Sequence, residues 1–398
     1  MGWVLVGLLL SLSLGGAVFA QETSLPDSAD FQFPLMRPDP VTLHKWIDDY
    51  ETAPEAEIDP VIHSYLLQAQ EANVTTSLSL LSHIQYTPSQ RNQGNCGDCW
   101  TWAGTGVMEI ALSVQNGVLD RLSTQFLNSC KTDSYACCGG NLTGFSNWYY
   151  SEGYAIPWSN TNASFQDASA SYSCPKSSGS AIVPCANIST TPDYPITSIS
   201  PVTISTTGYS TDTTPILNIK TVLNSGKGVY FAFWLANSTD WNGFYSFWGN
   251  TETAIWDPDQ YCGHTWDTTD GAGHAVLIVG YNDDDPSPAN HYWIVLNSWG
   301  TASGYRPNGL FRMKMHMNYN CIMHQTGYAD WYCRQFQTLN VAFSVPGGYG
   351  GYDFNGDGKD DILLQHTSGA VGMWLMNGTT VSTAAIAGGM TSDWQIRN

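Results

Sequence analysis

The alternation of apolar and polar positions divides the chain into four stretches. Val4 to Leu14 is almost wholly apolar, and small residues follow, ending Val18-Phe19-Ala20 before Gln21. This run is short for a bilayer span. It reads as a secretory signal peptide over 1–20, cleaved after Ala20. In 21–79 Pro, Asp and Glu are frequent. Two amphipathic starts there, Thr42-Leu43-His44-Lys45-Trp46-Ile47 and Val61 to Leu67, each predict a short helix. From about Leu80 to Pro346 the pattern is helical first, with Trp102, Val107, Ile110, Leu112 and Val114 as core positions after Trp100. It then turns to short β-branched runs. Ala275-Val276-Leu277-Ile278-Val279 and Trp293-Ile294-Val295-Leu296 predict buried strands. A glycine-rich joint, Gly347 to Tyr352, opens 347–398, where short strands are broken at Ser368-Gly369 and Asn377-Gly378.

Composition narrows the function. The 398 residues carry a net charge of −20 with only 14 Lys and Arg, which argues against a phosphate-tracking nucleic-acid binder. A hydrophobic share of 42% supports a buried core. No later stretch reaches eighteen uncharged apolar residues, so no transmembrane segment is expected after signal cleavage. The expected location is secreted, extracellular or periplasmic, where most of the 10 cysteines should pair.

The densest chemistry is Gln93-Gly94-Asn95-Cys96-Gly97-Asp98-Cys99-Trp100, just before the helical pattern. A thiol at a helix N-terminus sits at the positive end of the helix dipole, which favours thiolate. A thiolate nucleophile needs a histidine, itself oriented by a third group. His274 and Asn297 each sit at one end of a predicted strand. The nearest competitor, His264, does not lead into such a strand.

These residues resemble the papain/cathepsin cysteine peptidase family, whose signature is Cys-Gly-Ser/Ala-Cys-Trp/Tyr with His and Asn far downstream. Leu122-Ser123-Thr124-Gln125, Cys137-Cys138-Gly139-Gly140, Gly273-His274-Ala275-Val276 and Asn297-Ser298-Trp299-Gly300 follow in the family's order over roughly 80–340. The resemblance implies an α+β fold of two lobes, a helical one beginning at Cys99 and a β-barrel-like one carrying His274 and Asn297. It implies Cys99 as nucleophile, His274 as its imidazolium partner and Asn297 as orienter. Gln93 and the Cys99 N–H would form the oxyanion hole, with no catalytic cofactor and polypeptides as substrates. Trp299 would shield the His–Asn bond, Gly139 and Gly140 would admit substrate backbone, and Thr326 would floor the specificity pocket, favouring apolar side chains. Activity is expected from acidic to near-neutral pH. Asp98 stands where Ser or Ala is usual and is expected to face solvent.

The same resemblance pairs Cys96 with Cys137 and Cys262 with Cys321. It gives Cys130 either Cys174 or Cys185, and leaves Cys138 or Cys333 unpaired beside Cys99. The expected organisation is a signal (1–20), an inhibitory prosegment (21–79), a peptidase domain (80–346) and a small all-β repeat (347–398). In that last part Asp353, Asn355, Asp357, Lys359 (through its carbonyl) and Asp361 form a D-x-N-x-D-G-x-x-D loop suited to Ca²⁺. With its flanking strands it resembles one FG-GAP/VCBS-type repeat, which would meet a surface or adhesion partner. Two rivals remain. One is a catalytically silent secreted binding protein on the same fold. The other is a transglutaminase-like Cys-His enzyme, which Asn297 and Cys96 disfavour.

Overall fold

A computed structural model of the chain describes residues 34–72, 74–132, 136–170, 181–344, 361–366, 371–377, 380–386 and 394–397. The stretch expected as a signal, the start of the expected prosegment, Cys174, the glycine-rich joint and the loop residues Asp353, Asn355, Asp357 and Lys359 lie outside the described residues.

Two helices come first, α1 (Pro40–Glu51) and α2 (Pro60–Glu71). Both begin Asp-Pro. Asp39 accepts the Thr42 N–H at 2.9 Å, and Asp59 accepts those of Val61 and Ile62 at 2.8 and 3.0 Å. Proline at the first helical position loses no hydrogen bond and presets φ, so these starts are fixed locally. α1 buries Leu43, Ile47 and Tyr50, one face at helical spacing. The short strand β1 (Ser77–Ser79) follows.

α3 (Cys99–Asn116) is the central helix. Its residues from Cys99 to Leu112 are all buried, and it stops at Gly117, whose φ of +66° is the left-handed turn that glycine takes without strain. Val114, expected in the core, is 43% exposed and lines an open surface groove beside Leu339 and Val341 of the sheet. α4 (Thr124–Cys130) and α5 (Leu142–Glu152) complete the helical side. Inside it, Glu109 accepts the Leu122 N–H at 2.9 Å and faces Arg91 at 4.0 Å.

The next elements build one mixed sheet, a separate hairpin and the helices packed on them. They are β2 (Tyr154–Ala155), β3 (Tyr194–Thr203), α6 (Thr213–Asn224), β4 (Val229–Leu235), α7 (Ser238–Trp248), β5 (Ile255–Trp256), β6 (Ala272–Asn282), β7 (Tyr292–Leu296), β8 (Leu310–Lys314), β9 (Ile322–Met323), β10 (Trp331–Tyr332) and β11 (Arg334–Phe343). The order is β2-β3-β11-β4-β6-β7-β8-β5, with β1 added to β6 and β9–β10 forming a separate hairpin. Neighbours run antiparallel except β5 and β8. β4 is buried at every position and β6 at all but its last, so both lie in the core. α3 packs across β4, β6 and β11. That crossing sets the N-terminus of α3 beside the start of β6. A further sheet, β14-β13-β12-β15, is formed by β12 (Ile362–His366), β13 (Val371–Asn377), β14 (Thr380–Ile386) and β15 (Trp394–Arg397). The class is α+β.

Disulfides join Cys96 to Cys137, Cys130 to Cys185 and Cys262 to Cys321. Cys130 therefore takes Cys185 and not Cys174, because α4 ends against the short turn at Cys185–Asn187. Cys138 is also disulfide-bonded, so the unpaired cysteine beside Cys99 is the buried Cys333. Among the described residues no helix is long and apolar enough to cross a membrane.

Candidate active site

Cys99 is the first residue of α3, and His274 lies near the start of β6, opposite Phe233 of β4. Asn297 directly follows β7, which pairs with β6 through Leu277 and Leu296. Rigid elements thus hold three residues that are far apart in sequence. The Ala275 N–H, next to His274, donates to Cys99 Sγ at 3.4 Å. His274 Nε2 lies 2.8 Å from Asn297 Oδ1, which also accepts the Ser298 N–H. An amide oxygen only accepts, so Nε2 carries the proton. Nδ1 of the neutral ring is then a bare lone pair, and it has no hydrogen-bond partner.

Trp299 stacks on His274 with ring centroids 4.3 Å apart. Its indole N–H donates to Gln93 Oε1 at 3.1 Å, and Ser298 Oγ donates to the same oxygen at 2.6 Å. Gln93 is thereby clamped from its oxygen side, which aims its NH₂ outward. That NH₂ reaches the carbonyls of Cys96 at 2.7 Å and Pro34 at 3.1 Å. The Cys96–Cys137 bond ties this loop to the Gly139-Gly140 turn.

The Pro34 contact belongs to a cover. Met36 exchanges two 2.9 Å backbone hydrogen bonds with Gly273 and is 1% exposed. A Cβ on Gly139 would touch Met36 and Trp46 of α1 at 3.0 Å. On Gly140 it would meet the Trp100 ring at 2.5 Å, so this glycine is required from the inner side. His44 of α1 stacks on Tyr328 and bonds Gln325, which is buried beside the exposed Thr326.

The cover changes the electrostatics. Cys99 and His274 are both fully buried. Burial pushes the Cys99 thiol from 9.0 up to about 12; Asp98 adds to this and the Ala275 N–H opposes it. Burial also pushes His274 from 6.5 down to about 3, against the Asn297 bond. The thiol shift corresponds to about 4 kcal/mol, which exceeds the up to about 2 kcal/mol a helix dipole offers. Burial thus favours the neutral thiol and the neutral imidazole while the cover is in place.

Residues 82–202 and 257–330 match the family described as papain family cysteine protease, and Gln93, Cys99, His274 and Asn297 all fall inside the matched stretches. The chain carries a papain-family cysteine protease domain. The domain is 28% identical over 279 residues to cysteine proteinase 5 of Dictyostelium discoideum, covering 65% of this chain and 69% of that protein. Against cathepsin K of Mus musculus the figures are 25% over 228 residues, 55% and 54%, so the chain spans about half of that relative. The proform of the Amb a 11 cysteine protease, a ragweed pollen allergen, aligns with a TM-score of 0.47 at 17% identity, covering 78% of this chain and 76% of that one.

Several features of the papain-family domain have no local sequence signal. Asp98 is fully buried rather than solvent-facing. Asn128 donates to it at 2.8 Å, and burial, with Asp167 nearby, holds its carboxyl well above the usual range. Met36 and the clamp role of Ser298 also escape the sequence reading. His264 bonds Asp240 at 2.9 Å. In the C-terminal sheet Asp361 is buried, and its Oδ1 accepts the Met376 N–H at 2.7 Å.

Proposed function

We propose that the chain is a secreted cysteine endopeptidase made as a proform. Cys99, His274 and Asn297 do the chemistry, and 21–79 is the inhibitory segment. The observation that carries this reading is the His274 ring. Nε2–H is committed to Asn297, the Nδ1 lone pair is free, and the next backbone N–H holds the Cys99 sulfur. Once the cover leaves and water enters, the burial that keeps both groups neutral is relieved.

The steps follow from that geometry. Nδ1 takes the Cys99 proton, and the sulfur adds to the substrate carbonyl. The oxyanion takes hydrogen bonds from the Gln93 NH₂, which now holds the Pro34 carbonyl, and from the Cys99 N–H. The imidazolium protonates the leaving amine, giving a thioester. Water, deprotonated by His274, then releases the acid and restores the thiol. Trp299 keeps water from the Asn297 bond. Gly139 admits substrate backbone where Met36 now packs, Gly140 seats the turn on Trp100, and the neutral Thr326 favours apolar side chains over basic ones. The stretch 347–398 is read as one FG-GAP/VCBS-type repeat in which Asp353, Asn355, Asp357, Lys359 and Asp361 hold Ca²⁺ and a surface partner docks.

The test is hydrolysis of a mixed fluorogenic peptide library at about pH 4–8 with a thiol reductant. Wild type freed of 21–79 is compared with the same form of Cys99→Ala. Turnover lost in the variant supports the reading. No turnover in the freed wild type rejects it and favours a silent binding protein.

A further inference from the structure

Away from the cleft, His291 and His316 face each other where the ends of β7 and β8 meet. Tyr292 pairs with Lys314, and the Met315 N–H donates to the His291 carbonyl at 3.0 Å, so the two rings are held side by side. His291 Nδ1 and His316 Nε2 are 3.1 Å apart. The outer nitrogens are committed elsewhere. His316 Nδ1 lies 2.7 Å from the Asp212 carboxylate, and His291 Nε2 lies 2.7 Å from the Asp285 backbone carbonyl. Both partners only accept, so both outer nitrogens carry the protons. In the neutral rings, each inner nitrogen is then a bare lone pair aimed at the other. Such a pair needs a positive charge between its members.

We propose that His291 Nδ1 and His316 Nε2 are the two protein ligands of a site for a late first-row divalent cation, Zn²⁺ foremost. Three observations support a metal. Two Zn–N bonds of about 2.0–2.1 Å span 3.1 Å at an N–Zn–N angle of about 100°, near tetrahedral. The outer hydrogen bonds, one to a carboxylate and one to a backbone carbonyl, are those that orient metal-bound imidazoles. The rings also border a groove of about 510 Å³ lined by Asp283, Asp284 and Asp285. Asp283 is committed to Lys220, Asp284 accepts from Asn282, and Asp285 accepts the Ser287 N–H. Among the described residues no group of three or more His, Cys, Asp or Glu side chains is placed to hold a metal. The shell is therefore completed by water, which has access because His316 is 30% and Asp212 33% exposed. Asp212 is the N-cap of α6, so the cation would fasten α6 and the β6–β7 loop to the ends of β7 and β8. Its effect is on stability, not on the chemistry at Cys99.

The test uses the full chain as Cys99→Ala, which removes the cleft thiol as a rival ligand. After EDTA treatment and dialysis, ZnCl₂ is titrated by calorimetry and the melting temperature is followed. The expected result is one saturable equivalent, with a rise in melting temperature reversed by EDTA. That equivalent is lost in His316→Gln and in His291→Gln, each checked for native circular dichroism. Asp212→Asn keeps the ligands but weakens binding about 10–100-fold. NiCl₂ should broaden the imidazole proton resonances of His291 and His316 first. Undiminished Zn²⁺ uptake in both histidine variants, or no uptake by the parent, overturns the proposal and leaves a shared proton between the rings.

Discussion

Met36→Asp tests whether the cover is what silences Cys99. Met36 is 1% exposed, is bonded twice to Gly273 and packs on Gly139. Losing its burial costs about 2 kcal/mol. Placing a carboxylate at a position closed to water adds several kcal/mol more. A conservative total of about 4 kcal/mol favours the open form about a thousandfold. With its thiol at about 12, sealed Cys99 is thiolate in about one molecule in 10⁵ at pH 7. Wild type should therefore react with iodoacetamide only through rare openings. The assay is the alkylation rate of Cys99 at pH 7, with the labelled peptide identified by mass spectrometry. Met36→Asp should react up to about a thousandfold faster, and Met36→Leu, which keeps an apolar side chain, close to wild type. Equal rates in Met36→Asp and wild type, with native circular dichroism in both, would refute the reasoning.

Four other outcomes are expected. Gln93→Ala in enzyme freed of 21–79 should lower kcat about 10²–10³-fold with little change in KM, and an unchanged kcat removes Gln93 from the oxyanion hole. Asn297→Ala leaves the His274 Nε2–H without its acceptor; kcat should fall at least about tenfold, part of the 10²–10⁴-fold such proton transfer supplies. Gly140→Ala forces a methyl to 2.5 Å from Trp100 and should cost about 1–3 kcal/mol, read as a lowered melting temperature. Finally, sealed His274 titrates near 3, below its ordinary 6.5, so the sealed form is fully stable above 6.5 and loses stability as pH falls toward 3. Alkylation of wild-type Cys99 should then stay nearly flat from about pH 6 to pH 4, because the gain in opening offsets the loss of thiolate, and a fall of about tenfold per pH unit would contradict the linkage.

The legible parts of the molecule are those encoded over a few neighbouring residues. Asp39-Pro40 and Asp59-Pro60 carry their own caps, and the β-branched runs of β6 and β7 announce buried strands. Cys99, His274 and Asn297 stood out because each sits in a short glycine- or tryptophan-marked motif. Other features depend on contacts that no window contains. Met36 pairs with Gly273 through a single isolated bridge, which has no periodicity to detect. Asp98 is buried and takes a hydrogen bond from Asn128, on another helix. His291 and His316 become neighbours only through the register of β7 on β8.

The cover and the chemistry use the same atoms, and this decides how release must work. Pro34 holds the Gln93 NH₂, and Met36 holds both backbone groups of Gly273 next to His274. None of these contacts turns the His274 ring from Asn297 or moves the sulfur from the Ala275 N–H. The cover therefore occupies the site without dismantling it. Its second effect is dielectric. Excluding water raises Cys99 and lowers His274 together, which suppresses the proton transfer more than occupancy alone would. On the proposed proform reading, loss of the cover would restore access and ionisation in one step, with no refolding of α3 or β6. Activation should accordingly show no change in circular dichroism beyond that of the departing α1 and α2.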